Sequence, residues 1–237
     1  MAHGFTPVLP PVLVRESAMF GTGFLPTDEA NLYRVEPDGL YLTGTSEVAL
    51  AGLHAGEILE AASLPRRYTG YSTCFRREAG AAGKDTRGIF RVHQFDKVEM
   101  FVFASPEAAV AEHEAILAIE EEIIGNLGLA YRVVSIAAGD LGPSAAKKYD
   151  IEGWIPSQSR YRELTSCSNT TDYQARRLNI RLRAADGLRP VHTLNGTAVT
   201  ARTLIALLET FQCADGSVEI PEVLVGFGAP ARLAPPA

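Results

Sequence analysis

The sequence predicts an α+β fold built on an antiparallel β-sheet, because strand signals outnumber helix signals and two long strand segments flank one short loop. Segments rich in β-branched and aromatic residues lie at 40–43, 68–76, 89–104, 131–136 and 161–166. A ten-residue loop with three glycines, 79–88, separates the second segment from the third. No helix fits into this loop, so the two segments are expected to pair as an antiparallel hairpin.

Two helices are predicted, at 106–127 and 200–212. Ser105 caps the first helix, Pro106 suits its first turn, and Gly128 ends it. Apolar residues recur at helical spacing in both segments: Val110, Ile116, Ile123 and Leu127 in the first, and Leu204, Leu207, Leu208 and Phe211 in the second. These two stripes are expected to face the core.

Length and composition predict one domain. The 237 residues, 46% of them hydrophobic, suffice for one substantial core and show no internal repeat. Residues 228–237 are rich in Ala and Pro, so we expect the folded domain to span 1–227 and the last ten residues to form a flexible tail.

The charge balance excludes a chain-wide basic surface for nucleic acid, because the net charge is −6 at pH 7. The longest apolar stretches fall short of the roughly 20 residues that span a bilayer, and the first 25 residues lack a signal peptide. We therefore expect a cytoplasmic protein that does not enter membranes. The three widely spaced cysteines predict reduced thiols, and neither they nor the five histidines show zinc-ligand spacing, so no zinc is expected.

Basic residues concentrate in the predicted hairpin. Residues 66–97 carry eight Lys and Arg against three Asp and Glu, inside an acidic chain. Guanidinium groups offer paired donors to phosphate oxygens, so the hairpin could hold an anion. Composition alone leaves a solvated basic strand edge as an equal alternative. The loop is not a Walker phosphate loop, because its glycine spacing is wrong and no Ser or Thr follows Lys84.

Five segments carry a family resemblance in order and spacing. They are the hairpin with Phe75-Arg76-Arg77-Glu78 and Arg91-Val92-His93-Gln94-Phe95-Asp96-Lys97-Val98-Glu99, the Thr45-Ser46-Glu47 loop, the strand Arg162-Glu163-Leu164-Thr165-Ser166-Cys167-Ser168-Asn169, the segment Tyr173-Gln174-Ala175-Arg176-Arg177, and Thr193-Leu194-Asn195-Gly196-Thr197 followed by Arg202. Together they resemble the catalytic core of bacterial-type seryl-tRNA synthetases, which are class II aminoacyl-tRNA synthetases. The resemblance covers nearly the entire chain and implies a class II synthetase-like antiparallel sheet flanked by helices.

The resemblance implies that the chain activates L-serine with ATP to seryl-adenylate and transfers serine to the 3′ end of tRNA(Ser). It implies Arg76, Glu163 and Arg202 as catalytic residues. The ATP-binding residues that it implies are Arg76, Arg77, Glu78, Val92, Phe95, Glu163, Leu164, Thr165, Ser166 and Arg202. Among these, Arg76 would hold the α-phosphate and the serine carboxylate, Glu78 would read the adenine amino group, and Phe95 would stack on adenine.

The serine-binding residues implied by the resemblance are Thr45, Ser46, Glu47, Arg76, Glu99 and Thr197. Thr45 and Glu47 would receive the ammonium group, which suits a carboxylate. Glu99 and Thr197 are the candidates for binding the hydroxyl, since a small polar pocket rejects substrates that lack this group.

A magnesium ion bound with ATP is the cofactor that the resemblance implies, with Glu163 and Ser166 as its protein ligands. Spacing alone does not support this pair, because residues three apart on a regular strand lie on opposite faces unless a bulge intervenes.

Two departures from the family pattern matter. The family's N-terminal helical arm, which reaches the tRNA, and its motif 1 helix are not matched, so we expect weakened tRNA binding and a homodimer only in a full-length form. Arg77 stands where the family commonly has serine, and its side chain should point opposite to that of Arg76. Two alternatives stay open: an adenylate-forming paralogue that passes serine to a carrier protein or small molecule, and a non-catalytic fragment.

Overall fold

The computed structural model describes residues 3–80, 85 and 88–235. Within these residues, the six α-helices are Glu16–Thr22 (α1), Glu47–Gly52 (α2), Ala109–Asn126 (α3), Tyr173–Leu178 (α4), Ala201–Phe211 (α5) and Glu222–Val225 (α6). The strands described are Thr6–Val8 (β1), Leu13–Arg15 (β2), Tyr33–Val35 (β3), Leu40–Leu42 (β4), Ile58–Glu60 (β5), Arg66–Phe75 (β6), Gln94–Ala104 (β7), Tyr131–Ser135 (β8), Lys147–Ile155 (β9), Arg160–Asn169 (β10), Arg181–Ala184 (β11), Gly187–Pro190 (β12), His192–Thr200 (β13), Val218–Glu219 (β14) and Arg232–Leu233 (β15).

One large sheet organises the molecule, with strand order β1-β6-β7-β13-β10-β9-β8. All neighbouring pairs in it are antiparallel except the edge strand β1, which runs parallel to β6. Three small sheets, β12-β11-β5, β2-β4-β3 and β14-β15, surround it. The predicted α+β class with a dominant antiparallel sheet is confirmed.

The predicted hairpin is formed by β6 and β7, which pair from Arg66 opposite Phe103 to Phe75 opposite Gln94. The second strand starts later than expected, at Gln94 and not at Ile89. Residues 89–92 leave the ladder because they line a cavity described below. Residues 81–84, 86 and 87 of the predicted loop, which include Gly83 and Lys84, lie outside the described residues.

Helix α3 begins three residues later than predicted, at Ala109. Ser105 still stabilises the turn that leads into the helix, because its hydroxyl accepts a hydrogen bond from the Ala108 amide at 3.3 Å. The predicted stripe is partly wrong: Ile116 is buried, but Val110 is 64% exposed. The helix turns polar residues toward the sheet instead, among them the buried Glu120.

Helix α5 is capped by Thr200, whose hydroxyl accepts from the Arg202 amide at 3.2 Å. Its predicted stripe is also partly wrong, because Leu207 is buried whereas Leu204 and Leu208 are exposed. The buried face of α5 is instead completed by small residues, Thr203 and Ala206, which permit a close approach to the sheet.

The C-terminal segment differs from the predicted free tail. Strand β15 pairs with β14, and the Arg232 guanidinium lies 2.7 Å from the Asp215 carboxylate. The chain therefore packs back on itself after Phe227, and composition missed this because the segment is only a short strand among Ala and Pro residues.

The main core lies between the large sheet and the helices α3 and α5. A second core, with Phe101 and Phe103 fully buried, lies on the opposite face against α2 and α4. Both faces of β7 are therefore covered, which explains its nearly continuous apolar sequence. No helix among the described residues has both the length and the apolarity needed to cross a bilayer.

Ile116→Ala should lower the free energy of unfolding by about 2–5 kcal/mol, because it opens a cavity between α3 and the sheet. Val110→Ala, on the exposed side of the same helix, should stay within about 0.5 kcal/mol of the parent. Urea unfolding of the two variants measures both values, and equal losses would contradict the assignment of helix faces.

Candidate active site

A cavity of about 360 Å³ opens on one face of the large sheet, where β6, β7, β10 and β13 meet the start of α5. Its wall contains most of the predicted site residues: Thr45, Glu47, Arg76, Glu78, Val92, Phe95, Glu163, Leu164, Thr165, Ser166, Thr197 and Arg202. Residues separated by more than 150 positions in the sequence therefore come together here. A single polar cavity of this size is typical of a small-molecule site.

Three predicted site residues are not on the cavity wall. Ser46 is fully buried beside the start of α2, and its hydroxyl finds no hydrogen-bond partner among the described residues. Arg77 is exposed, and its amide donates to the Asn31 carbonyl at 2.9 Å. Glu99 is fully buried behind the wall, where it contacts residues that do line the cavity.

Arg76 follows β6 and reaches across the cavity. Its Nε donates to the Gly44 carbonyl at 3.1 Å, and its guanidinium carbon lies 5.3 Å from the centre of the Phe95 ring. The hydrogen bond and the aromatic face fix the plane of the guanidinium group. The Nη1 and Nη2 donors of Arg76 make no hydrogen bond within the part of the chain that the structure describes, and they could bind a ligand in the cavity.

Glu78 and Arg91 form an ion pair across the two arms of the hairpin. Glu78 has a left-handed backbone (φ 54°), which turns its side chain back toward the cavity. The pair closes one end of the cavity, next to Phe95 and Val92.

A β-bulge in β10 explains how Glu163 and Ser166, three residues apart on one strand, can face the same side of the sheet. The register between β10 and β9 shifts between Glu163 and Thr165, so that Leu164 is an extra residue. Because of this bulge, Glu163 and Ser166 both line the cavity although they are three residues apart, and the buried Leu164 and Thr165 between them complete the same stretch of wall.

Arg202 lies in the first turn of α5 and faces Glu163. Its Nη1 lies 3.4 Å from the Glu163 carboxylate and 3.2 Å from the Glu163 carbonyl. Phe90 packs against two guanidinium groups. The centre of its ring lies 4.9 Å from Arg202 Cζ and 3.9 Å from Arg162 Cζ. Burial lowers the pKa of Arg202, and Glu163 opposes this shift.

The opposite end of the cavity is acidic. The side-chain amide of Asn195 donates to Glu47 Oε2 and to Glu99 Oε1, each at 3.2 Å. Lys97 forms an ion pair with Glu99 and donates to Thr45 Oγ1 at 2.7 Å. One amide and one ammonium group thus hold two buried carboxyl groups close together, which would otherwise repel each other.

Glu47 has an unusual protonation equilibrium. Burial, followed by the neighbouring Glu99, raises its pKa from 4.5 to about 7, against the opposing influence of Lys97. Its Oε1 accepts from Gln174 Nε2 at 2.7 Å, and Gln174 is held in turn by Thr193 at 2.9 Å. The carboxyl group is therefore fixed in position, and a cation entering the cavity would favour its ionised form.

The residues at the bulge fit a magnesium ion held jointly with a phosphate ligand. The Glu163 carboxylate is half exposed to the cavity, and the Ser166 side chain shares its wall. Magnesium prefers such hard oxygen ligands and keeps several waters, so it needs few protein ligands. Within the described residues, no group of three or more His, Cys, Asp or Glu side chains could hold a metal alone.

The structure adds cavity residues that the sequence interpretation did not assign. Lys97 and Asn195 were present in the recognised segments but had no role, and Phe90 and Ser168 also line the cavity. Strand alternation is the signal that could have indicated Lys97, because it lies two residues before Glu99 and therefore on the same face of β7. No sequence signal indicated that one Asn195 amide would bridge two carboxyl groups.

An antiparallel sheet that carries arginines at one end of a cavity and buried carboxyl groups at the other defines the catalytic core of a class II aminoacyl-tRNA synthetase. The family model described as the tRNA synthetase class II core domain (G, H, P, S and T) matches residues 33–211. The chain belongs to this family.

Relatives of known name agree on the branch of the family. The chain is 61% identical over 224 residues to the serine–tRNA ligase of Bifidobacterium animalis subsp. lactis, across 94% of this chain and 52% of that protein. The crystal structure of seryl-tRNA synthetase from Pyrococcus horikoshii complexed with ATP superposes with a TM-score of 0.96 at 51% identity, covering 100% of this chain and 54% of that one. The cytoplasmic serine–tRNA ligase from Naegleria fowleri in complex with AMP gives a TM-score of 0.93 at 39% identity, covering 100% and 57%. The chain thus spans about half the length of the relatives that it matches.

Glu47→Gln should change how stability depends on pH. Between pH 4.5 and about 7 the folded chain holds a proton on Glu47 that the unfolded chain has released. The parent should therefore lose up to about 3 kcal/mol of unfolding free energy as the pH rises through this window. The variant should lack this loss, since glutamine does not titrate.

Urea unfolding at several pH values across the window measures the difference between parent and variant. Glu29→Gln, at an exposed position, is the control and should keep the slope of the parent. A difference between Glu47→Gln and parent that does not change with pH would contradict the raised pKa.

Proposed function

We propose that the chain is a serine–tRNA ligase core, which activates L-serine with ATP to seryl-adenylate and transfers the seryl group to the 3′ end of tRNA(Ser). The observation that carries this proposal is that one cavity has arginines, Arg76 and Arg202, at one end and the buried carboxyl groups of Glu47 and Glu99 at the other. Such a division suits one ligand rich in phosphate and a second with an ammonium group. The seryl branch of the relatives supports serine as the amino acid.

ATP would occupy the cationic end. Phe95 offers a ring for adenine, and Glu78 offers a carboxylate near it for the adenine amino group. Arg76 would hold the α-phosphate, and Arg202 would hold the γ-phosphate from the start of α5, where the helix dipole also favours an anion. Val92, Leu164 and Thr165 would shape the wall around the nucleotide.

Glu163 and Ser166 would hold a magnesium ion that accompanies the nucleotide. When bound, it would supply positive charge to the polyphosphate. Arg202 already contacts Glu163, so the same carboxylate would orient both a guanidinium group and the ion.

Serine would occupy the acidic end. Thr45 and Glu47 would bind its ammonium group, and the pKa of Glu47 near 7 implies that serine binding releases a proton when the pH is below this value. Glu99 and Thr197 would bind the hydroxyl. Asn195 and Lys97 already hold the buried carboxyl group of Glu99 in place, so it would present a fixed acceptor to a substrate hydroxyl and gain nothing from a substrate that lacks one.

The activation step needs no general base from the protein. The serine carboxylate is already ionised, and one of its oxygens attacks the α-phosphorus while the bond to pyrophosphate breaks. Arg76 lines the cavity in which both groups would meet, so its charge would stabilise the negative charge that develops at the α-phosphate. The tRNA ribose hydroxyl would then attack the seryl carbonyl and release AMP.

The wider biological setting is also part of the proposal. The protein would act in the cytoplasm, where tRNA charging takes place. A homodimer of the full-length form is supported by an apolar depression of about 230 Å³ beside the edge strand β1, with Leu9 and Tyr71 exposed at its rim. Transfer of serine to a carrier protein remains the competing outcome, since the same cavity would form the same adenylate.

Arg76→Ala should reduce serine-dependent exchange of pyrophosphate into ATP by at least about a hundredfold, because charge stabilisation at the α-phosphate is lost. The fold should persist, since the side chain is not part of either core. Arg132→Ala on β8, an exposed strand residue far from the cavity, is the matched control and should exchange like the parent. Equal exchange in Arg76→Ala and the control would refute the role of Arg76.

Glu99→Ala should lower the preference for serine over alanine by about a hundredfold or more, because the group that reads the hydroxyl is removed. The KM for ATP should change much less, since Glu99 does not line the nucleotide end. Exchange assays with each amino acid measure both effects. Retained discrimination would assign the hydroxyl contact to another residue.

Charging of tRNA(Ser) by the parent, measured beside exchange, tests the acceptor. Efficient exchange together with seryl transfer to a carrier protein and not to tRNA would favour the competing function.

A further inference from the structure

One buried acid beneath the cavity has no place in the mechanism above. Glu120 lies on α3, which packs against β10 and β13, and its side chain is fully buried. Its Oε2 accepts from Thr165 Oγ1 at 3.1 Å. Its Oε1 makes no hydrogen bond of regular geometry among the described residues, although the Thr197 backbone amide lies close enough to the carboxyl group to favour its ionised form. Burial of an acid with so few partners is costly, so its presence calls for a physical reason.

The second carboxyl oxygen of Glu120 faces the neighbouring strand. A Cβ added at Gly196 on β13 would come within 2.3 Å of Ile116 Cγ2 and within 2.9 Å of Glu120 Oε1, so glycine permits the close approach of both side chains of α3. Gly196 lies between Asn195 and Thr197, which both line the cavity. The carboxyl group therefore contacts the backs of two strands whose fronts form the site.

Both of these strands are irregular at the point of contact. In β10 the register shifts between Glu163 and Thr165, and in β13 it shifts between Thr197 and Val199. A bulge leaves a residue without a regular partner and re-aims the side chains beside it. Glu120 thus lies under two bulges, one next to the residues assigned to magnesium and the other next to a residue assigned to serine.

We propose that Glu120 is a positioning residue, which holds the two bulged strands from behind and so sets the direction in which Glu163, Ser166 and Thr197 face the cavity. This inference rests on the proposed function for the identity of the two ligands. It assigns to Glu120 no contact with either of them. Burial raises the pKa of Glu120 well above its usual range, and the Thr165 hydroxyl opposes this shift. A neutral carboxylic acid is compatible with the role, because its oxygen still accepts from Thr165.

Glu120→Leu keeps the volume of the side chain but removes the acceptor. The Thr165 hydroxyl then lacks its partner, and the bulge in β10 is free to rearrange. Loss of such a supporting contact costs about tenfold or more in the property that it supports. We expect the KM for ATP and for serine, and the Kd for ATP with magnesium measured by calorimetry without serine, each to rise by about this factor. Glu120→Gln retains an acceptor oxygen and should stay close to the parent in all three.

The control for a purely structural effect is Ile124→Ala, one turn further along the same helix. Ile124 is fully buried in the main core, so this variant should melt at a lower temperature while its KM and Kd values remain those of the parent. Glu120→Leu that behaves like Ile124→Ala, with a lower melting temperature only, would overturn the proposal. So would Glu120→Gln with the same weakened binding as Glu120→Leu.

Thr165→Val removes the same hydrogen bond from its other side and provides the test if Glu120→Leu does not fold. It should weaken binding of ATP with magnesium, and unchanged binding would again overturn the proposal. The calorimetric measurement also separates this inference from the proposed function. A parent that binds ATP with magnesium but shows no serine-dependent exchange would refute the proposed function, and the Kd values of the variants would still decide the role of Glu120.

Discussion

The pairing of β7 with both β6 and β13 is the constraint on which the rest of the structure depends. This central strand is hydrogen-bonded along one edge from Gln94 to Phe103 and along the other from Lys97 to Ala104. Because side chains alternate along a strand, a slip of one residue would move Phe95 and Lys97 from the cavity to the face that carries the main core. The register therefore decides at once which residues form the core and which form the site.

Deviations from regular pairing occur where the site needs them. The bulges in β10 and β13 interrupt the alternation next to Glu163 and Thr197. A regular strand would bury one member of the pair Glu163 and Ser166, so the bulge is required for both to face one ligand. The regular sheet thus provides a rigid scaffold, while the two bulges orient the side chains beside them toward the cavity.

Basic and acidic side chains lie at opposite ends of the cavity. At one end, Arg76 and Arg202 offer hydrogen-bond donors to an anion. Each guanidinium group is oriented by an aromatic ring and by a backbone carbonyl. At the other end, Glu47 and Glu99 are buried together, and the raised pKa of Glu47 shows the cost of this arrangement. An ammonium group near Glu47 would relieve that cost, because it favours the ionised form of the carboxyl group.

The sequence by itself determined the fold class, the hairpin and most members of the site, because pairing and burial leave a periodic pattern and because five short segments with Arg76, Glu163 and Arg202 stood in a recognisable order. Only the tertiary structure decided which helix faces were buried, as Val110 and Leu204 show, since apolar residues at helical spacing do not reveal which side meets the sheet. It also decided how Asn195 bridges two carboxyl groups and how Glu120 supports two bulges. These contacts join residues far apart in sequence, and their formation depends on strand register, which no local pattern encodes.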